Sequence, residues 1–352
     1  MLRNFNALAS GKIVKILAAL FFLEMSVFVI ASRDKPKILV LHSYTPAYSW
    51  SYDINQGIMR TLDDEAVQSS YHFMATKDAN ASQKRRAQKI AHRRIADFAP
   101  DIILAVDDNA SALVAKHYVG DAAIDIIFAG INGSVQPYGY EGAANVTGIY
   151  ERKPVGALVE LINIINRYDG EPSAAVFVSD KSVSAKRDAD YMASADWGDS
   201  VVYRGHIAAD NFADWQNIIR DLPAGIDFLL VGAYRHLKLS ADSEQLARPA
   251  DIARWTVENA NNIVIGLNVF NSQDGVPVSV GVSPYEQGEV AAKMALAVID
   301  SGRPAGEFEY AHPTQYFISM NAPAIRSSDR YQDMPALLEA FARSTSNYFQ
   351  RL

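Results

Sequence analysis

The sequence predicts an α/β protein of two similar lobes, each a parallel sheet with helices on both faces. Short unbroken apolar runs of strand length recur down the chain, the pattern of strands covered on both sides. They alternate with longer stretches whose apolar residues return every three or four positions, the helical period. The alternation runs once from Pro36 to about Thr147 and then starts afresh with units of similar size, which favours two sheets over one very wide one.

Taken in order, Ile38 to Leu41 is the first strand, leaving through a loop with Ser43, Tyr44, Tyr48 and Trp50 before a helix with Ile54, Ile58 and Leu62 on one face. A weak strand near Tyr71–Met74 precedes a helix from about Ser82 to Phe98. Strand Ile102–Val106 stops at Asp107-Asp108-Asn109, a short helix with Ala112, Leu113 and Ala115 follows, and strand Ile126–Ala129 ends at Gly130 to Gly133. The second run has a helix from about Pro154 to Arg167 and strand Ala174–Val178, which leaves at Ser179-Asp180. Next come a helix to Ala195, strand Val201–Tyr203, a helix with Trp215 and Ile219, and strand Phe228–Val231, which leaves towards Tyr234. A helix near Ile252–Asn259 leads to strand Ile263–Leu267, which leaves at Asn268. Val276 to Val282 alternates as a half-buried strand. Pro284 opens a helix that Gly302 ends. Strand Tyr316–Met320, a polar joint at Arg326–Arg330 and an amphipathic helix over Ala336–Phe349 complete the chain.

At 352 residues the chain is long for one domain and comfortable for two. Its apolar fraction of 49% and charged fraction of 21% are those of a globular protein, and a net charge of -7 gives no reason to expect nucleic acid as a partner. There is no cysteine, so no lipid-bearing cysteine and no disulfide framework, and the core must hold the fold alone. Residues 1–31 form a separate segment. Arg3, Lys12 and Lys15 precede an apolar stretch from Ile16 to Ile30 that ends on small Ala31, which reads as a signal peptide for export to the periplasm. An uncleaved membrane anchor is the competing reading, and Glu24 is costly inside either.

In open α/β sheets ligands bind outside the carboxyl ends of the strands. That rule nominates Ser43, Tyr44 and Trp50 after the first strand, Asp107 and Asp108 after the second apolar run, and Asn132 after the next. In the second half it nominates Ser179, Asp180, Tyr234 and Asn268. Tyr44 and Trp50 offer flat faces with polar tips; Trp50 packing under the next helix is the structural alternative. A carboxylate at Asp107 or Asp108 suits a ligand ammonium or hydroxyl, while capping the next helix is the other use of such residues. An aromatic or amine-bearing small molecule fits this set. The histidines are scattered with no pair at metal-ligand spacing, and His42 alone lies near the predicted cleft. No nucleophile elbow, phosphate loop or dinucleotide fingerprint appears, which argues against an enzyme and against a bound cofactor. The basic run Lys84, Arg85, Arg86, Lys89, His92, Arg93, Arg94 reads as a solvated helix face or a docking surface for a membrane partner.

Three segments carry a family resemblance. Val40-Leu41-His42-Ser43-Tyr44 with Trp50 and Gln56-Gly57-Ile58 is the first, and Asn145-Val146-Thr147-Gly148-Ile149 the second. The third is Gly281-Val282-Ser283-Pro284-Tyr285-Glu286-Gln287-Gly288 with Ala291 to Ala295 and Gly302-Arg303-Pro304-Ala305. In this order the chain, from about Pro36 to Asn321, resembles the ABC-transporter substrate-binding family with a type I periplasmic-binding-protein fold. Related domains serve as sensory parts of signalling proteins, and the first segment resembles those equally. The resemblance implies two Rossmann-like lobes joined by a three-strand hinge, with lobe 1 at 36–147 and 281–305, lobe 2 at 148–280 and 306–325, and a C-terminal tail at 326–352. It implies a protein that closes on a small molecule and hands it to a membrane permease. The alternative is a ligand sensor that signals to a membrane histidine kinase or diguanylate cyclase.

Overall fold

The computed structural model describes residues 17–22, 35–77, 79–166, 170–331 and 334–350. The expected leader or anchor falls mostly outside the described residues. No described helix is long and apolar enough to cross a membrane.

The first lobe is a five-stranded parallel sheet in the order β2-β1-β3-β4-β5, from β1 Lys37–His42, β2 Gln68–Phe73, β3 Ile102–Val106, β4 Asp125–Ile131 and β5 Val146–Tyr150. Every residue of β3 is buried, because the sheet is covered on both faces. Alternation along β1 sorts the two cores. Ile38 and Val40 pack with α1 (Ser49–Leu62) and α9 (Pro284–Ser301) through Ile54, Ile58, Ala291 and Ala295. Leu39 and Leu41 pack on the opposite face with Ala91 and Ile95 of α2 (Ala81–Phe98) and Ala110 of α3 (Asp107–Leu113). Asn80 caps α2, accepting from Ser82 N and Gln83 N, while the Gln83 side chain accepts from Asn80 N.

Two segments that carried the resemblance meet here. Gly57 of α1 faces the backbone of Tyr285 and Glu289, and Gly288 of α9 faces the backbone of Ile54 and Ile58. A Cβ at either glycine would overlap main-chain atoms, so the two helices pack backbone to backbone. The expected boundaries of α9 hold: Ser283 caps it, Pro284 begins it, and Gly302 ends it at φ 63.

The second lobe carries β6 (Ser173–Asp180), β7 (Val201–Ala209), β8 (Phe228–Val231), β9 (Ile263–Gly266), β10 (Val278–Val282), β11 (Tyr316–Asn321) and β12 (Tyr348–Phe349) in the order β12-β11-β10-β9-β8-β6-β7. β10 and β11 pair antiparallel; the other neighbours are parallel. Helices α4 (Val155–Asn166) and α5 (Val183–Ser194) belong to the core on one face. Helices α6 (Phe212–Arg220) and α7 (Pro249–Asn259) belong to the core on the other. The short α8 (Val269–Asp274) follows β9 directly, within what the sequence presents as a strand exit.

The chain passes between the lobes at 151–154, at Ser283 and at 312–315. Glu286 holds the last two passages together, its carboxylate accepting from Thr314 N, Thr314 Oγ1 and Gln315 N at 2.8, 2.6 and 2.9 Å. Residues 306–311, expected with the second lobe, lie along β5: Gly306 N donates to Ala144 O, Thr147 Oγ1 to Phe308 O, and Ala311 N to Gly148 O. Residues 336–349, expected as an appended tail, complete the second sheet. Helix α10 (Ala336–Ser344) stops at Ser344, Ser346 turns the chain at φ 59, and Tyr348 pairs with Met320. Leu338 and Ala342 of α10 are buried in that core.

Candidate ligand-binding site

The carboxyl ends of β1, β3 and β4 face the second lobe, and the side chains there are sorted by who already holds them. Ser43 is fully buried, and its Oγ donates to Val106 O and accepts from Ala110 N, both at 2.7 Å, which ties β1 to the start of α3. His42 is equally buried, stacked on Phe73 at 4.5 Å with Nε2 bonded to Asn55, and burial lowers its pKa to about 4. Tyr44 is half-buried, its ring edge-on to Tyr48 at 5.5 Å, with Lys77 over both rings. These residues with Met74 and Gln83 line a cavity of about 570 Å³ between the loops that leave β1 and β2.

Asp107 is the most constrained of the set. It opens α3 in the left-handed region at φ 67, and Gly130 of β4 leaves the space its carboxylate occupies. Trp50 Nε1 donates to Asp107 Oδ1 at 2.9 Å, whereas Oδ2 is buried without a partner. Burial and then repulsion from Glu151 hold the Asp107 carboxyl well above the usual carboxylate range. Asp108 is engaged differently: it accepts from Tyr138 Oη and pairs with Arg187 of α5 across the lobe gap at 2.8 Å.

The passage at 151–154 supplies the rest. Burial pushes Glu151 up to about 7, against the attraction of Lys153 and with the repulsion of Asp188. Arg152 donates to the carbonyls of Ile131, Asn132 and Gly133, so the exit of β4 is fastened to the hinge, and its guanidinium lies 4.0 Å from the Tyr150 ring. Lys153, 4% exposed, bonds Asn268 Oδ1 at 2.8 Å and Asp188 at 3.3 Å.

On the second lobe the nominated residues are held internally. Ser179 Oγ bonds His206 Nε2 at 2.7 Å and donates to Asp180 O. Asp180 accepts from Ser182 N and lies 3.5 Å from His236 Nδ1; these bonds outweigh burial and lower its pKa. Tyr234 points into the core, 1% exposed, with its hydroxyl on Asp274. The structure thus brings Tyr44, Trp50, Asp107, Asp108 and Asn132 together at one cleft edge. Asn268 reaches the hinge through Lys153, and Ser179, Asp180 and Tyr234 belong to networks inside the second lobe. Sequence reasoning missed Lys77, Glu151, Arg152, Lys153, Arg187 and Asp188. A run of three charges just past the second resemblance segment is the signal that could have found the hinge set. No cluster of three or more metal-ligating side chains occurs among the described residues.

The sequence matches no family model. No curated protein matches it either. Solved structures do resemble it. A ligand-free, open substrate-binding protein with adhesive properties from Clostridium difficile superposes with a TM-score of 0.63 at 17% identity, over 90% of this chain and 100% of that one. A conserved domain protein from Vibrio cholerae gives 0.56 at 16% identity over 90% and 100%. An ABC domain in complex with L-Trp from Streptococcus pneumoniae gives 0.53 at 14% identity over 88% and 98%. Two lobes, sheets of mainly parallel strands and a hinge crossed three times give this chain the type I periplasmic-binding-protein fold.

Proposed function

We propose that the protein is a periplasmic solute-binding protein that captures an amine-bearing small molecule, with an aromatic or other flat apolar part, and delivers it to an ABC transporter. The observation that carries this is Asp107: a buried carboxylate with one oxygen unpartnered, set beside Glu151 and the rings of Tyr44 and Trp50. Burial keeps such a carboxyl protonated, and an incoming ammonium lets it ionise by pairing with it. The aromatic rings supply flat contact area and attract the same cation. The second lobe then closes with Arg187 and Asp188 of α5, and ligand shifts that equilibrium by its differential affinity for the closed form.

Mass spectrometry of small molecules that co-purify, followed by thermal-shift titration, tests the reading. Amine-bearing aromatic compounds should raise the melting temperature, and their N-acetylated counterparts should not. A broad panel in which no small molecule raises it overturns the binding claim. Crosslinking of the liganded protein in native membranes tests delivery, with a permease as the expected product. A histidine kinase or diguanylate cyclase in its place would make the protein a sensor.

A further inference from the structure

Four surface cations elsewhere in the molecule stand beside an acid four residues away: Lys186 with Asp190, Lys293 with Glu289, Arg303 with Glu307, Arg343 with Glu339. Helix α2 departs from this. From Ala81 it carries Lys84, Arg85, Arg86, Lys89, Arg93 and Arg94 with no acid before Asp97. At 100° per residue, Arg85, Arg86, Lys89 and Arg93 fall within about a third of the helix circumference. They lie opposite the buried Ala91 and Ile95, and all four are exposed. Among the described residues none of the four is in an ion pair, even Arg93 with Asp97 one turn on. Like charges on one face of a helix repel one another and do nothing for the fold. In a protein of net charge -7, such a face fits an anionic partner outside the molecule.

The character of the face selects the partner. Protein interfaces centre on buried apolar or aromatic anchors, around which arginine is enriched and lysine depleted. Here the large apolar side chain among the cations is Ile90, 45% exposed. Long flexible cations on a convex helix face suit a diffuse layer of phosphates. The path of the chain agrees. Lys37, the first residue of β1, donates from Nζ to Phe98 O at the end of α2 and lies over its ring. The end of α2 and the entry of the chain into the fold are therefore one place. Residues 31–36 alone separate it from the apolar run Ile16–Ile30, a reach of about 20 Å when fully extended. Lys35 and Lys37 add charge of the same sign at that end. We infer that the cationic face of α2 lays the first lobe against an anionic phospholipid bilayer. Arg85, Arg86, Lys89 and Arg93 meet lipid phosphates and Ile90 sits among the headgroups.

The absence of cysteine makes a site-specific test clean. The full chain with Ala96→Cys on the same exposed face, carrying a fluorophore, is inserted into nanodiscs that contain headgroup-nitroxide lipid. Quenching should be at least about fivefold stronger in phosphatidylglycerol discs than in phosphatidylcholine discs, since each surface cation adds roughly fivefold to binding of an anionic membrane. It should fall in about 0.5 M salt. R85E/K89E/R93E should abolish the difference with an unchanged melting temperature, and a label at Ala241→Cys on the second lobe should stay unquenched. Equal quenching in both lipids, quenching that survives charge reversal, or none in either lipid overturns the proposal. Capture of an acidic protein by this face without lipid quenching overturns it as well.

Discussion

The two lobes share an architecture, yet their strand ends are used in opposite ways. At the first lobe, Asp107 keeps a buried oxygen unpartnered, and Tyr44 lines a cavity. At the second, Ser179 is bonded to His206, Asp180 to Ser182, and Tyr234 to Asp274. Buried polar groups that find partners inside their own lobe rigidify it, while one left without a partner is available to a ligand. On the proposed function the first lobe is the seat. The second contributes a wall on this reading; Arg187 of α5 crosses to Asp108, while Asp188 and Asn268 both hold the hinge residue Lys153.

The sharpest way to break this contrast is to change one strand-end residue on each side. Asp107→Asn keeps an acceptor for Trp50, tolerates the left-handed backbone, and removes the charge. It should weaken binding of an amine-bearing ligand by roughly 30-fold or more, about 2 kcal/mol. The ligand-free protein should melt no lower, because burial already holds the Asp107 carboxyl in its neutral form and an amide is no costlier there. Ser179→Ala should do the reverse: about 1 kcal/mol of stability lost with the His206 bond, and affinity held within about twofold. Calorimetric titration and denaturant unfolding of both variants decide it. Equal loss of affinity in the two would erase the distinction between seat and wall.

Tyr44→Ala removes a half-buried ring from the cavity and should weaken binding about tenfold, while the protein stays folded. Loss of soluble protein would instead make Tyr44 a core residue. Arg187→Ala deletes the partly exposed pair with Asp108, a contact of about 1 kcal/mol or less. Binding should fall by roughly fivefold at most, and small-angle scattering of the ligand-free protein should show a larger radius of gyration. An unchanged radius would mean that this pair does not hold the lobes together.

The lobes and the succession of strands along the chain were legible because buried parallel strands leave unbroken apolar runs such as Ile102–Val106; the order of those strands within each sheet was not. β5 was harder to read, since Val-Thr-Gly-Ile-Tyr has no such run. Its Gly148 is required where a Cβ would strike Phe128. Because β5 shows only as an exit from the lobe, the sequence does not single out Glu151, although it follows that strand as Asp107 follows β3. Strand exits also do not reveal direction: Tyr234 and Tyr44 occupy similar places, and only packing turns one inward against Trp215. The closing segment reads as a helix up to Phe349 because its period continues. The turn at Ser346 follows from pairing with β11, a tertiary contact that local pattern does not carry.

The smallest effect separates the hinge from the seat. Glu151 has a folded-state pKa of about 7 against an ordinary 4.5, so the folded protein binds its proton more tightly than the unfolded chain does. Stability therefore falls as pH rises from about 4.5 to about 7, and Glu151→Gln should flatten that part of the melting-temperature profile. A cationic ligand acts in the other direction. It favours the ionised carboxylates of Glu151 and Asp107, so its binding releases protons, and affinity should weaken as pH drops below about 7. If Asp107 is the seat and Glu151 its support, Glu151→Gln should remove much of the pH dependence at a cost of only a few-fold in affinity at neutral pH. A loss as large as that of Asp107→Asn would place the ammonium at the hinge.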